Sequence, residues 1–100
     1  MAFQLVQILY WLALATWFGP GFYGSRTACG PVLTTTLVGV AHRTLPCGTK
    51  VTIRYNGRTA QAVVRDRGPY VGGREFDLAG AVARKLGFNG VGRIYVATGR

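Results

Sequence analysis

The chain has 100 residues, enough for one domain with a modest core but marginal without further support. Fifteen glycines and many short Val/Thr/Ile runs count against a helical bundle and for a mainly β fold. Twelve Lys/Arg against three acidic residues give a net charge of +9, so an anionic partner is favoured: nucleic acid, an anionic membrane surface or an anionic cell-wall polymer. The basic residues are spread along the chain rather than clustered, so no nucleic-acid partner is expected; the bland alternative is that they keep a small apolar domain soluble. A lone histidine and no Cys-x-x-Cys argue against a zinc site, and no nucleotide loop is visible, so neither metal nor cofactor is expected. Cys29 and Cys47 are read as a disulfide, which implies an oxidising, exported compartment; the alternative is two buried free thiols.

Met1 to Leu14 is almost wholly apolar. It reads as a signal- or anchor-like leader (residues 1–14) capable of membrane contact, with Ala13-Leu14-Ala15 in the small-x-small form of a cleavage site. The lack of a preceding positive charge counts against that reading. The folded domain is placed at residues 15–100. Thr16 to Gly24, aromatic and rich in turn formers, reads as a first strand ending in a wide loop. Leu37 to Ala41 is a short apolar strand that delivers His42 and Arg43 to its end. Lys50 to Tyr55 alternates, with Val51, Ile53 and Tyr55 on one face, and Asn56-Gly57 joins it as a hairpin to Arg58–Val64. Leu78, Ala81, Val82 and Leu86 fall at helical spacing, Arg84 and Lys85 suit a last turn, and Gly87 suits the position after it. Gly92 to Thr98 reads as a final strand.

The stretch from Val63 to Leu78 organises the rest, because it contains all three acids: Asp66, Glu75 and Asp77. An apolar strand stops at Gly68-Pro69, which puts Asp66 at a strand end. Gly72-Gly73 permits a reversal, so Asp66 and Asp77 can face one another. Loop and strand-end carboxylates are where catalytic groups collect.

Five segments, in order, resemble the RlpA-like double-psi β-barrel domain: Thr16 to Gly24, Thr27-Ala28-Cys29-Gly30, Ala41 to Thr49, Asp66 to Tyr70 and Gly72 to Leu78. The resemblance runs from about Ala15 to Val96. It implies a six-stranded double-psi β-barrel with one or two short helices, exported to the cell envelope or secreted. It also implies action on peptidoglycan as a lytic transglycosylase cutting glycan strands stripped of stem peptides; the domain is expected to be a monomer. His42 and Asp66 match positions linked to activity in that family, and Thr16, Asp66 and Asp77 match polar positions of the related expansin groove. Many members carry a glutamate where this chain has Pro31, which can neither donate nor accept a proton. The resemblance therefore also admits a non-catalytic, expansin-like wall-polysaccharide binder.

The expected catalytic set is Asp66, Asp77 and His42. If the two aspartates face each other, repulsion raises the pKa of one and leaves it able to act as the acid. Thr16, Trp17, Arg43, Arg67 and Tyr70 are assigned to substrate binding, with Trp17 and Tyr70 as sugar-stacking platforms. Each has a structural alternative. Asp77 can be a helix N-cap, Asp66 a partner of Arg65, Arg67 or Arg43, His42 a satisfied structural histidine, and the aromatics core. Glu75 reads as a surface residue.

Overall fold

The computed structural model describes residues 9–17 and 20–98. Six strands, β1 Trp11–Trp17, β2 Gly39–Ala41, β3 Lys50–Tyr55, β4 Arg58–Asp66, β5 Phe76–Leu78 and β6 Val91–Thr98, close into one barrel in the order β1-β5-β2-β4-β3-β6. One short helix, α1 Gly80–Leu86, and a 3-10 turn at Pro20–Phe22 complete the described elements. The β1–β5 and β2–β4 pairs are parallel and the other four antiparallel.

Local chemistry explains most of these boundaries. β3 and β4 form the expected hairpin, with Asn56 (φ 50°) and Gly57 (φ 79°) both left-handed, as a two-residue turn matched to strand twist requires. Val51 and Ile53 fill the barrel interior and Tyr55 packs against it. The helix stops at Gly87, whose left-handed backbone lets its N–H reach the carbonyls of Ala83 and Arg84. Val82, Ala83 and Leu86 of α1 join Phe76, Leu78, Val40, Val64, Ile94 and Val96 in the main core. A smaller core of Leu33, Ala41 and Ala79, covered by Tyr23 and Leu37, anchors the long connection before β2.

Two boundaries differ from the sequence reading. β1 begins at Trp11, so Trp11 to Leu14 is barrel wall rather than leader; Trp11, Leu12, Ala13 and Leu14 pair with Val96, Tyr95, Ile94 and Arg93 of β6. Residues 1–8 of the expected leader lie outside the described residues. The helix begins two residues later than its apolar spacing suggested, because Leu78 is held in β5 between Trp17 and Val40. Cys29 and Cys47 form the disulfide, with Cα atoms 5.8 Å apart. That sets aside the free-thiol alternative.

Candidate active site

Strand register builds the site. Thr16 of β1 pairs with Asp77 of β5, Asp77 pairs with Ala41 of β2, and Ala41 pairs with Asp66 of β4. A register shift in β4 skips Arg65, so Asp66 rather than an arginine stands opposite Ala41. The two aspartates therefore flank one alanine across three adjacent strands, where neighbouring strands lie about 4.8 Å apart.

Asp77 is half-buried on the outward side of β5, between the fully buried Phe76 and Leu78. Its Oδ1 accepts the Thr16 hydroxyl at 2.7 Å. Burial raises the Asp77 pKa above the ordinary 3.8; the Thr16 hydrogen bond opposes that, the Asp66 charge adds to it, and Arg74 opposes it. The N-cap reading of Asp77 is overturned. Ala79 caps α1, with no side-chain hydrogen bond, and Asp77 belongs to the sheet.

Among the described residues Asp66 is braced by backbone amides rather than by an arginine side chain. Its Oδ1 accepts the amides of Ala28 at 2.8 Å and Arg67 at 2.9 Å. This draws the loop containing Pro31 beside the site; there the Pro31 carbonyl accepts the Thr27 amide and hydroxyl. Pro31 itself offers no proton-transfer group.

His42 follows Ala41, packs tilted against Phe76 with ring centroids 4.7 Å apart, and is committed at both nitrogens. Nδ1 accepts the amides of Thr44 at 3.1 Å and Leu45 at 3.0 Å, which fixes the proton on Nε2. Nε2 then donates to Glu75 Oε2 at 3.2 Å. The same oxygen accepts Trp11 Nε1 at 3.1 Å. Glu75, read from sequence as a surface residue, is thus 32% exposed and tied into the site by two side chains. Both of those ties escape a sequence reading. Trp11 sat in the supposed leader, and the acidic clustering of Glu75 with Asp77 was the single available signal.

The other assigned residues divide. The Arg43 guanidinium donates to the carbonyls of Pro69 at 2.8 Å and Arg74 at 2.6 Å. Arg67 donates to the carbonyls of His42 at 3.2 Å and Leu45 at 2.5 Å, and to Cys47 Sγ. Both arginines lace the loops around the acids together. Tyr70 projects into solvent, 78% exposed, on the loop after Asp66. Trp17 packs against the core and lines a depression of about 190 Å³ with Tyr23 and α1 residues, apart from the Asp66–Asp77 pair.

This arrangement offers a half-buried carboxyl with a raised pKa, a second carboxyl fixed by backbone amides, and a third held by an indole and an imidazole. Residues 13–98 match the family model described as lytic transglycolase. Over 85 residues the chain is 46% identical to a Synechocystis protein named "Probable endolytic peptidoglycan transglycosylase RlpA", covering 81% of this chain and 26% of that one. It is 40% identical over 75 residues to "Endolytic peptidoglycan transglycosylase RlpA" of Campylobacter jejuni, 73% of this chain and 27% of the other. The chain thus spans about a quarter of the length of these relatives. Among solved structures, the Streptomyces papain inhibitor superposes with a TM-score of 0.72 at 28% identity, covering 95% of this chain and 99% of its own. With its closed six-stranded barrel and these likenesses, the chain belongs to the lytic transglycolase family of RlpA-like double-psi β-barrel domains.

Proposed function

We propose that this domain is a peptidoglycan lytic transglycosylase that cleaves glycan strands free of stem peptides. The observation that carries the reading is the placement of Asp77, half-buried, hydrogen-bonded to Thr16 and one strand from the residue facing Asp66. Burial favours its protonated form, as a general acid requires. Asp77 gives its proton to the glycosidic oxygen as the C1–O bond breaks. The Asp66 carboxylate steadies the positive charge that develops on the sugar ring. The resulting Asp77 carboxylate then takes the proton of the sugar's own C6 hydroxyl as O6 bonds to C1, leaving a 1,6-anhydro end. The acid is restored and no water is consumed. His42 has no nitrogen free for proton transfer, so its role is to position Glu75.

The disulfide supports export to the cell envelope, and the domain acts as a monomer on peptidoglycan. Pro31 favours a second reading, an expansin-like binder that holds wall polysaccharide without cutting it. A digest of peptide-stripped peptidoglycan, read by mass spectrometry, separates the two. Anhydro-ended fragments that vanish with Asp77→Asn are the expected result. Uncut glycan that co-sediments with the protein establishes the binder instead.

A further inference from the structure

The barrel has a second outward row, across β1, β6, β3 and β4. Leu12 of β1 pairs with Tyr95 of β6, Tyr95 pairs with Arg54 of β3, and Arg54 pairs with Thr59 of β4. Tyr95 points outward, 52% exposed, because its neighbours Ile94 and Val96 fill the core. Arg93 is exposed two residues earlier on β6, which places it on the same face as Tyr95. The Arg54 guanidinium also stands over the Tyr10 ring, 5.7 Å from its centroid. Tyr10, Tyr55 and Tyr95, with Arg54 and the Asn56-Gly57 turn, enclose a hollow of about 380 Å³. It lies at the opposite end of β1 from Thr16.

We propose that this hollow is a second glycan-binding site, specific for an acidic pyranose. The exposed Tyr95 ring offers a flat apolar face for the C–H face of a sugar, Tyr10 and Tyr55 wall the hollow beside it, and Asn56 offers an amide for a hydroxyl or acetamido group. Arg54 lines the hollow with its guanidinium over the Tyr10 ring, a cation placed to take the carboxylate of a sugar stacked on Tyr95, and Arg93 adds a second positive charge on the same face of β6. None of the three acids of the chain lines the hollow, so no carboxylate in its wall repels an anion. Leu9 and Leu12 add exposed apolar surface beside Tyr10 and Tyr95. The site deepens the glycan reading above and rests on it. A strand gripped here and at the aspartates is held at two places on one domain.

The test is an amide chemical-shift titration of the full chain carrying Asp77→Asn, with a tetrasaccharide of alternating N-acetylglucosamine and N-acetylmuramic acid. We expect shifts in two groups of amides, one around residues 41–42, 66–67 and 75–77, the other around 54–57 and 93–95. Arg54→Gln and, separately, Tyr95→Ala should abolish the second group and spare the first, with the rest of each spectrum confirming the fold. Chitotetraose, which lacks the carboxylate, should bind the second site at least about tenfold more weakly, as loss of a charge-assisted bond predicts. Shifts in the first group alone overturn this proposal and leave the active-site reading standing. Shifts in neither group overturn the glycan reading with it. Equal binding of chitotetraose removes the acidic specificity. Equally strong displacement by a single-stranded oligonucleotide reassigns the hollow to nucleic acid.

Discussion

Trp11 and His42 donate to one and the same oxygen of Glu75, at 3.1 Å and 3.2 Å, from residues 64 and 33 positions away. With Asp66 and Asp77 flanking Ala41, this gathers every acidic residue of a +9 chain around the end of β2. Cations stand among them: Arg43 and Arg67 hold the surrounding loops, and the Arg74 charge opposes the rise of the Asp77 pKa.

Thr16→Val should move the pH profile. The Thr16 hydroxyl donates to Asp77 and favours its charged form, opposing the effect of burial. Removing the donor raises the Asp77 pKa further. The active form carries the proton, so the alkaline limb of kcat/KM, read from anhydro-product formation against pH, should shift upward. A downward or absent shift would show that Asp77 is not the acid.

Asp77→Asn should abolish cleavage, by at least about a hundredfold, yet stabilise the fold at neutral pH. The sign follows from linkage. With its folded pKa raised above the unfolded 3.8, the folded state binds more protons than the unfolded one, so stability falls as pH rises through that window. Asparagine removes the charged form, and its carbonyl still accepts from Thr16. Denaturant melts at pH 7 should show the variant more stable than the wild type, with the difference shrinking toward pH 3. Equal stability at both pH values would mean that burial does not set the Asp77 pKa.

Some of this was legible in the sequence, and the limits are physical. The β3–β4 hairpin announces itself through alternation and Asn-Gly, and α1 through its spacing and Gly87. β1 does not, because Leu12 and Leu14 are apolar on its outward side as Ala13 and Ala15 are on its inward side, so the period-2 signal is lost and a strand reads as a leader. β5 has three residues, too few for any period to show. Asp66 and Asp77 could be paired because a turn joins them in sequence. The hold of Trp11 and His42 on Glu75 crosses the barrel, and no local pattern encodes it.

Gly80→Ala should destabilise the domain although alanine is the better helix former. A methyl group there would overlap the Tyr23 hydroxyl oxygen and approach Arg84 Nη1 to 3.2 Å. Tyr23 cannot swing away freely, because it covers the Leu33–Ala41–Ala79 core. Overpacking of this kind costs about 1–3 kcal/mol. In a Tyr23→Phe background the overlap is gone: the nearest ring carbon lies 3.5 Å from the new methyl, an ordinary contact, and only the 3.2 Å approach to Arg84 Nη1 remains. There the same substitution should cost less than it does beside Tyr23. Thermal melts of the four proteins in that cycle would read the relief as a coupling between the two positions.

Glu75 separates a structural from an electrostatic contribution at this site. Its Oε2 is the acceptor for His42 Nε2 and Trp11 Nε1, and the His42 ring is buried, with its other nitrogen already taken by two backbone amides. Glu75→Ala leaves both donors without their acceptor, and an unmet buried donor costs about 1–3 kcal/mol. Glu75→Gln keeps an oxygen that can accept from both, so its melting temperature should stay close to that of the wild type. Activity then reports on charge alone. If Glu75 only props the site, the glutamine variant keeps its rate while the alanine variant loses rate and stability together. A stable glutamine variant with a large loss of rate would make the Glu75 charge, and not its hydrogen bonds, the contribution to catalysis.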